Sequence, residues 1–213
     1  VTSGLNWTVG IKTDGTLWGW GSPFNGSLPL DGTGGGFISV PTAIGSDTNW
    51  SQIKGGPFWT GLALKTNGTL WGWGQVQSGS IPTNGTITNI SVPIQIGSDT
   101  TWSTIVSASS WQSAAIKTDG TLWAWGEGDT GELGINAVGN RSSPVQIGSD
   151  TNWSFATQSN TGGATGAACF AIKSDGTLWA WGKNTDNTWL GVSAGDKSSP
   201  VQVGSSTWST VTS

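Results

Sequence analysis

Short alternating runs broken by Asp, Gly and Pro set the pattern of this chain. Ile11-Lys12-Thr13 leads into Asp14-Gly15, and Thr16-Leu17-Trp18-Gly19-Trp20-Gly21 leads out. A period of two puts Trp18 and Trp20 on one side of a strand and Leu17 and Gly19 on the other. Asp-Gly between two such runs predicts a hairpin with a two-residue type I′ turn. The pattern returns at 64–74, 116–126 and 172–182, with turns at Asn67-Gly68, Asp119-Gly120 and Asp175-Gly176. Position 19 and its equivalents Gly72, Ala124 and Ala180 are always small. A neighbouring strand or sheet that approaches closely explains that restriction.

Two further markers recur in the same order. Gly-Ser-Asp-Thr-Asn-Trp ends at Trp50 and at Trp153, with a variant ending at Trp102 and a shortened form ending at Trp208. Pro41, Pro93, Pro144 and Pro200 form the other series. Three markers sharing a period of about fifty residues define tandem units. Each unit reads as four strands: the hairpin pair, a third at 93–96, 144–147 or 200–203, and a fourth running on from the marker Trp through Ile53, Ile105 or Val211. The approximate repeats are 1–52, 53–104, 105–155 and 156–213, within one repeat domain covering 1–213. The expected fold is all-β: a β-propeller, or a propeller-like arc, with four four-stranded antiparallel blades. Sandwich and solenoid readings fit less well, since solenoid turns are shorter. Val1-Thr2-Ser3 aligns with Val211-Thr212-Ser213. The ends overlap loosely, or the chain is a slice of a longer array, or two chains complete a larger ring.

Composition sharpens this picture. Gly is 35 of 213 residues and Trp is 16, while His, Tyr and Met are absent or zero in count and charged residues are 9%. So little charge among many Ser, Thr and Asn suggests disorder, but sixteen large rings supply buried area that argues for a packed core. Fifteen of the Trp fall on recurring positions, with Trp7, Trp59 and Trp111 taken as near-equivalent and Trp189 outside the pattern. The net charge is −4 and the cations are scattered, so a nucleic-acid backbone finds no basic stripe. No apolar run reaches the length of a membrane helix. The lone Cys169 lies in an apolar strand and reads as a small core residue. The chain begins at Val1 without a leader pattern, as a processed product or a piece of something longer would.

The string Ala-Ile-Lys-Thr-Asp-Gly-Thr-Leu-Trp-Ala-Trp-Gly, followed by Gly131-Glu132-Leu133-Gly134 and Ser143-Pro144-Val145, resembles the repeat of the regulator-of-chromosome-condensation family. The resemblance runs through all four units. It implies blades of four antiparallel strands around an axis, commonly seven of them. The family includes an exchange factor for a small GTPase, a secreted β-lactamase inhibitor and many surface or viral proteins. Two departures stand out. No His precedes the hairpin, and the Gly-x-Leu-Gly element is altered to Gly26-Ser27-Leu28-Pro29, Gly79-Ser80-Ile81-Pro82 and Trp189-Leu190-Gly191.

Function is sought where the units differ, at 22–40, 75–92, 127–143 and 183–199 and in an insertion within 158–166. Without His there is no imidazole base, nucleophile partner or imidazole metal ligand, and no catalytic residue, cofactor or metal site is expected. Glu127, Asp129 and Glu132 form the densest carboxylate group. Together with Trp59, Trp111, Trp189 and Arg141 they are the candidate contacts for a ligand or partner. Asp47, Asp99 and Asp150 are expected to bond the local backbone, and Lys12, Lys65, Lys117 and Lys173 to line one face of the hairpins. The favoured function is a non-catalytic structural or protein-binding module, with protein partners or self-association. Polar composition and sequons such as Asn6, Asn49 and Asn140 suggest an extracellular, cell-surface or virion setting, as in a tail, fibre or sheath. The alternatives are a carbohydrate-binding propeller with Trp189 or Trp59 stacking on sugars, and an exchange-factor-like or inhibitor-like binder.

Overall fold

In a computed structural model, residues 1–30, 36–56, 59–76, 78–82, 89–108, 111–158, 167–184 and 189–211 are described. They form four antiparallel sheets, each a meander in chain order. Blade 1 holds β1 (Thr2–Ser3), β2 (Trp7–Ile11), β3 (Leu17–Gly21) and β4 (Ile38–Ala43). Blade 2 holds β5 (Trp50–Gly55), β6 (Thr60–Lys65), β7 (Leu70–Gln75) and β8 (Asn89–Gln95). Blade 3 holds β9 (Trp102–Ala108), β10 (Gln112–Lys117), β11 (Leu122–Gly126) and β12 (Arg141–Gln146). Blade 4 holds β13 (Trp153–Gln158), β14 (Ala168–Lys173), β15 (Thr177–Gly182) and β16 (Lys197–Thr207). The first strands stand side by side, β1 against β5, β5 against β9 and β9 against β13, and so line the inner edge. The fold is the expected propeller of four-stranded blades.

Two local expectations change. The marker Trp does not close its own unit. Trp50, Trp102 and Trp153 open the inner strand of the following blade, where they pair with Lys65, Lys117 and Lys173. The hairpin turns are also not type I′. Gly15 N donates to the Lys12 carbonyl at 2.9 Å and Lys12 N donates to the Thr16 carbonyl at 2.9 Å, closing a three-residue loop. Gly15 has φ +79°, whereas Asp14 is not among the left-handed residues. A right-handed turn followed by one left-handed Gly satisfies this geometry. The cause is the Asp14 carboxylate, which accepts from both the amide and the hydroxyl of Thr16 at 3.0 and 2.6 Å. Thr16 Oγ1 in turn accepts from the Trp18 indole at 2.8 Å. Asp119-Thr121-Trp123 and Asp175-Thr177-Trp179 repeat the relay, and Asn67-Thr69-Trp71 does so with an amide.

The core lies between blades more than within them. One cluster joins Val9, Leu17 and Leu28 of blade 1 to Ala63, Trp73 and Ile81 of blade 2. A second joins Leu62, Leu70 and Ile96 to Ala115 and Trp125. A third joins Ala124, Leu133 and Ile147 to Cys169, Ala171 and Trp181. Trp73, Trp125 and Trp181 are 0%, 0% and 3% exposed. Each indole donates to a carbonyl of the preceding blade: Trp73 to Ser27 at 3.1 Å, Trp125 to Ser80 at 2.9 Å and Trp181 to Glu132 at 2.9 Å. That carbonyl belongs to the Gly-x-Leu-Gly element of blade 3 or to its altered counterparts, whose apolar residues Leu28, Ile81, Leu133 and Leu190 are all buried. The same residues explain the small position. A Cβ at Gly19 would meet Leu28 at 2.9 Å and Ile44 at 3.0 Å, so side chains of its own unit, not a foreign strand, occupy that side.

Each marker Trp forms a cage with the hairpin of the blade it opens. Trp50 meets Trp71 edge-on at 5.7 Å between ring centroids, and Trp102 meets Trp123 at 6.0 Å and Trp153 meets Trp179 at 6.2 Å in the same way. Lys65 caps the Trp71 ring at 3.8 Å and pairs with Asp47 of blade 1 at 2.8 Å. Lys117 with Asp99, and Lys173 with Asp150, repeat the pair at 2.9 Å each. The recurring Asp therefore ties one blade to the next rather than bonding its own backbone, and these three Lys are committed to it. The first Trp of each pair stays half-buried because a Lys, not a blade, covers it.

Candidate functional site

Strand register sorts every loop to one of two ends. The Asp-Gly turns and the Gly-Ser-Asp-Thr loops meet at one end, where the Gly15 carbonyl accepts from Trp50 N at 3.1 Å. The first connection and the variable loop of each blade leave from the other end, as the pairing of Thr60 with Gly74 and of Gln112 with Gly126 shows. The candidate contacts Trp59, Trp111, Glu127, Asp129, Glu132 and Trp189 lie on connections at this second end, and Arg141 is the first residue of β12 there.

Trp59 and Trp111 immediately precede β6 and β10 and are half-buried. Their carbonyls accept from Gln75 N at 3.1 Å and Glu127 N at 2.7 Å, which pins the root of each variable loop. A Cβ on Gly74 would collide with the Trp59 carbonyl, so that close approach demands the φ of +107° that Gly74 adopts. Trp7 is not their equivalent. Trp7 pairs with Gly21 where Thr60 pairs with Gly74, one residue further along, and it is buried. One residue of offset moves a side chain to the opposite face of the sheet. Trp59 borders a cavity of about 250 Å³ shared with Leu5, Asn6, Phe24, Asn25 and Ser27. Phe24, which sequence reasoning did not single out, is 57% exposed at its rim. It sits in a 3-10 turn with Asn25 in the left-handed region; its only sequence signal was a large apolar residue inside a variable stretch.

The blade 3 carboxylates divide into separate roles. Asp129 is exposed, Glu127 is half-buried and Glu132 is buried. The Glu132 carboxylate accepts from the amide and hydroxyl of Thr130 at 2.6 and 2.9 Å, and its carbonyl is the acceptor for Trp181. Cys169 Sγ donates to that same carbonyl at 3.2 Å, so the thiol lies in the seam between blades 3 and 4. Burial, then the neighbouring charges of Glu132 and Asp129, push the Glu127 carboxyl above its usual range. Arg141 donates to the carbonyls of Gly139 and Asn140 at 3.1 and 3.0 Å and forms no ion pair with these carboxylates. Among the described residues, no three His, Cys, Asp or Glu side chains gather as metal ligands would. Trp189 of blade 4 is 40% exposed. Of the stretch 158–166 expected to hold an insertion, residues 159–166 lie outside the described residues. Among the described residues no helix is long and apolar enough to cross a membrane.

The sequence model of the Regulator of chromosome condensation (RCC1) repeat matches residues 119–169. The chain is 31% identical over 196 residues to the RCC1 domain-containing protein RUG3, mitochondrial, of Arabidopsis thaliana, covering 87% of this chain and 42% of that protein. The chain is an RCC1-like repeat propeller.

A further relative and two solved structures are also similar to the chain. The Ultraviolet-B receptor UVR8 of Arabidopsis thaliana is 27% identical over 69% of this chain and 33% of the receptor. Human WBSCR16 superposes with a TM-score of 0.75 at 22% identity, over 95% of this chain and 52% of that one. Yeast RCC1 (Prp20), solved bound to Kap60, superposes with a TM-score of 0.75 at 16% identity, over 95% and 47%. The chain thus spans less than half the length of these curated relatives and about half that of the solved structures. The expected location needs correcting. The relatives include a mitochondrial protein rather than extracellular, cell-surface or virion proteins. A polar exterior follows from the alternation of strands whatever the compartment, so the Thr, Ser and Asn content was no guide to location.

Proposed function

We propose that the chain is a non-catalytic, protein-binding propeller module whose variable-loop end meets the partner. The observation that carries this reading is the division of labour between the two ends. At the turn end, the recurring Asp, Thr, Lys and Trp side chains are spent on relays and cages that hold blades together. At the loop end, Phe24, Asp129 and Trp189 face outward on loops that differ from blade to blade. A surface of apolar and acidic side chains on a rigid scaffold suits a protein partner. Yeast Prp20p, a solved neighbour in fold, binds Gsp1p and histones, which is compatible with a binding role for propellers of this kind.

The decisive experiment isolates a partner by affinity, repeats the interaction with both proteins purified, and compares variants at the two ends. Phe24→Ser and the double change Glu127→Ala with Asp129→Ala should weaken binding about tenfold or more. Lys12→Ala, at the turn end, should leave it unchanged. Binding lost only through turn-end variants would refute the assignment.

A further inference from the structure

Asn-Gly occurs at 25–26, 67–68 and 84–85, and the last pair lies outside the described residues. The dipeptide is chemically labile. Gly leaves the backbone nitrogen after the Asn uncrowded, so it can swing onto the side-chain carbonyl carbon. The two described pairs sit in opposite surroundings. In blade 2, Asn67 is held. Its Oδ1 accepts from the Thr69 amide at 3.2 Å and from the Thr69 hydroxyl at 2.7 Å. Gly68 N donates to the Lys65 carbonyl at 2.9 Å. Both reacting groups are thereby fixed, the side-chain carbonyl by the relay and the nitrogen by the turn.

In blade 1, Asn25 is loose. Its side-chain amide has no hydrogen-bond partner among the described residues. It is half-buried at the cavity that Phe24 and Trp59 border. Gly26 N reaches the Pro23 carbonyl only at 3.3 Å, longer than a usual N–H···O bond. The seam between blades 1 and 2 explains why the pair stands there. A Cβ at Gly26 would meet the Ile90 carbonyl of blade 2 at 2.8 Å. A Cβ at Gly79 would meet the Arg141 carbonyl at 2.9 Å, and one at Gly131 the Lys197 carbonyl at 2.9 Å, each in the next blade. The neighbouring outer strand therefore demands Gly. The residue before it is left-handed in blades 1 and 2, with φ of 55° at Asn25 and 50° at Ser78. Asn tolerates that region better than other side chains. Packing and backbone together place Asn before Gly in blade 1, whereas Ser78 and Thr130 precede the other two glycines.

We infer that Asn25 is a site of spontaneous deamidation, which sets a carboxylate, in part as isoaspartate, beside Phe24 on the loop-end surface. The Gly26 nitrogen, having lost its proton to hydroxide from solvent, attacks Asn25 Cγ. A bond forms between them, the bond from Cγ to Nδ2 breaks, and ammonia leaves with a proton returned by water. Water then opens the cyclic imide. Attack at Cγ restores the main chain with Asp, and attack at the main-chain carbonyl leaves isoaspartate. No enzyme, oxidant or reductant is needed. The chemistry does not depend on the partner proposed for this end of the propeller. Its product changes the charge of that end one molecule at a time.

Peptide mapping by mass spectrometry tests this on the 213-residue chain, incubated at mildly alkaline pH in heavy-oxygen water. Each Asn-Gly pair is followed separately. Asn25 should convert roughly tenfold or more faster than Asn67, since the bonds that hold Asn67 and Gly68 must break before its imide can close. The Asn25 peptide should separate into Asp and isoaspartate forms that carry heavy oxygen. In the chain unfolded by guanidinium chloride, the two sites should convert at similar rates, because the Thr69 relay and the turn are gone. Conversion of Asn67 in the folded chain as fast as Asn25 would overturn the inference. So would an Asn25 that stays intact in the folded chain while it converts in the unfolded one.

Discussion

At the scale of single residues, the account rests on hydrogen bonds that the repeat copies. In Asp14 and Asp119 the Thr hydroxyl, then the Thr amide, holds the carboxyl below its usual range, and in Asp175 the Thr177 amide leads. A lowered carboxyl adds stability above its unfolded pKa and loses it as pH falls through the folded value. Glu127 has the opposite sign: its raised pKa means stability is lost as pH rises from the unfolded value toward the folded one. Carboxylate titration by NMR should therefore find Asp14, Asp119 and Asp175 below the ordinary Asp range and Glu127 above the ordinary Glu range. Asn67 fills the Asp position in blade 2 with an amide acceptor. Asp119→Asn should accordingly keep the turn and flatten the acid limb of the stability profile, read as melting temperature against pH. The motif residues were legible in the sequence because they repeat. Glu132 was not, since nothing in three nearby carboxylates says that the one beside Leu133 is drawn into a seam. The one-residue offset of Trp7 was likewise hidden until register was known.

Strands and turns show a different limit. Alternation and the Asp-Gly pairs located β2 and β3 and their copies, and the Pro series located the outer strands. The sequence did not reveal which blade owns the marker Trp, because ownership depends on a pairing partner far along the chain. Two predictions belong here. Gly72 faces Ile96, Leu62 and Ile81 at 3.1–3.3 Å from a hypothetical Cβ. Ala at the equivalent positions 124 and 180 shows that a methyl group fits such a site. Gly72→Ala should be close to neutral in urea unfolding, and Gly72→Val should destabilise by about 1–3 kcal/mol. The cross-blade pair of Lys117 with Asp99 has a half-buried cation and an exposed anion. A double-mutant cycle of Lys117→Met and Asp99→Asn should return a coupling of about 0.5–1 kcal/mol, because solvent screens the carboxylate.

Across the whole molecule, stability resides in contacts between neighbours, as in other repeat arrays. Blade number followed from the period of the repeat; location did not, because surface polarity carries no address. Trp125→Phe keeps most of the ring volume and leaves the Ser80 carbonyl without its indole donor. It should cost about 1–3 kcal/mol in chemical unfolding. The claim beneath all of this is that the second indole of the pair in blades 2, 3 and 4 is shut away by the preceding blade. Hydrogen exchange of the indole N–H groups, followed by NMR, addresses it directly. Trp73, Trp125 and Trp181 should exchange orders of magnitude more slowly than the exposed Trp189; exchange of those three at the rate of Trp189 would contradict the account.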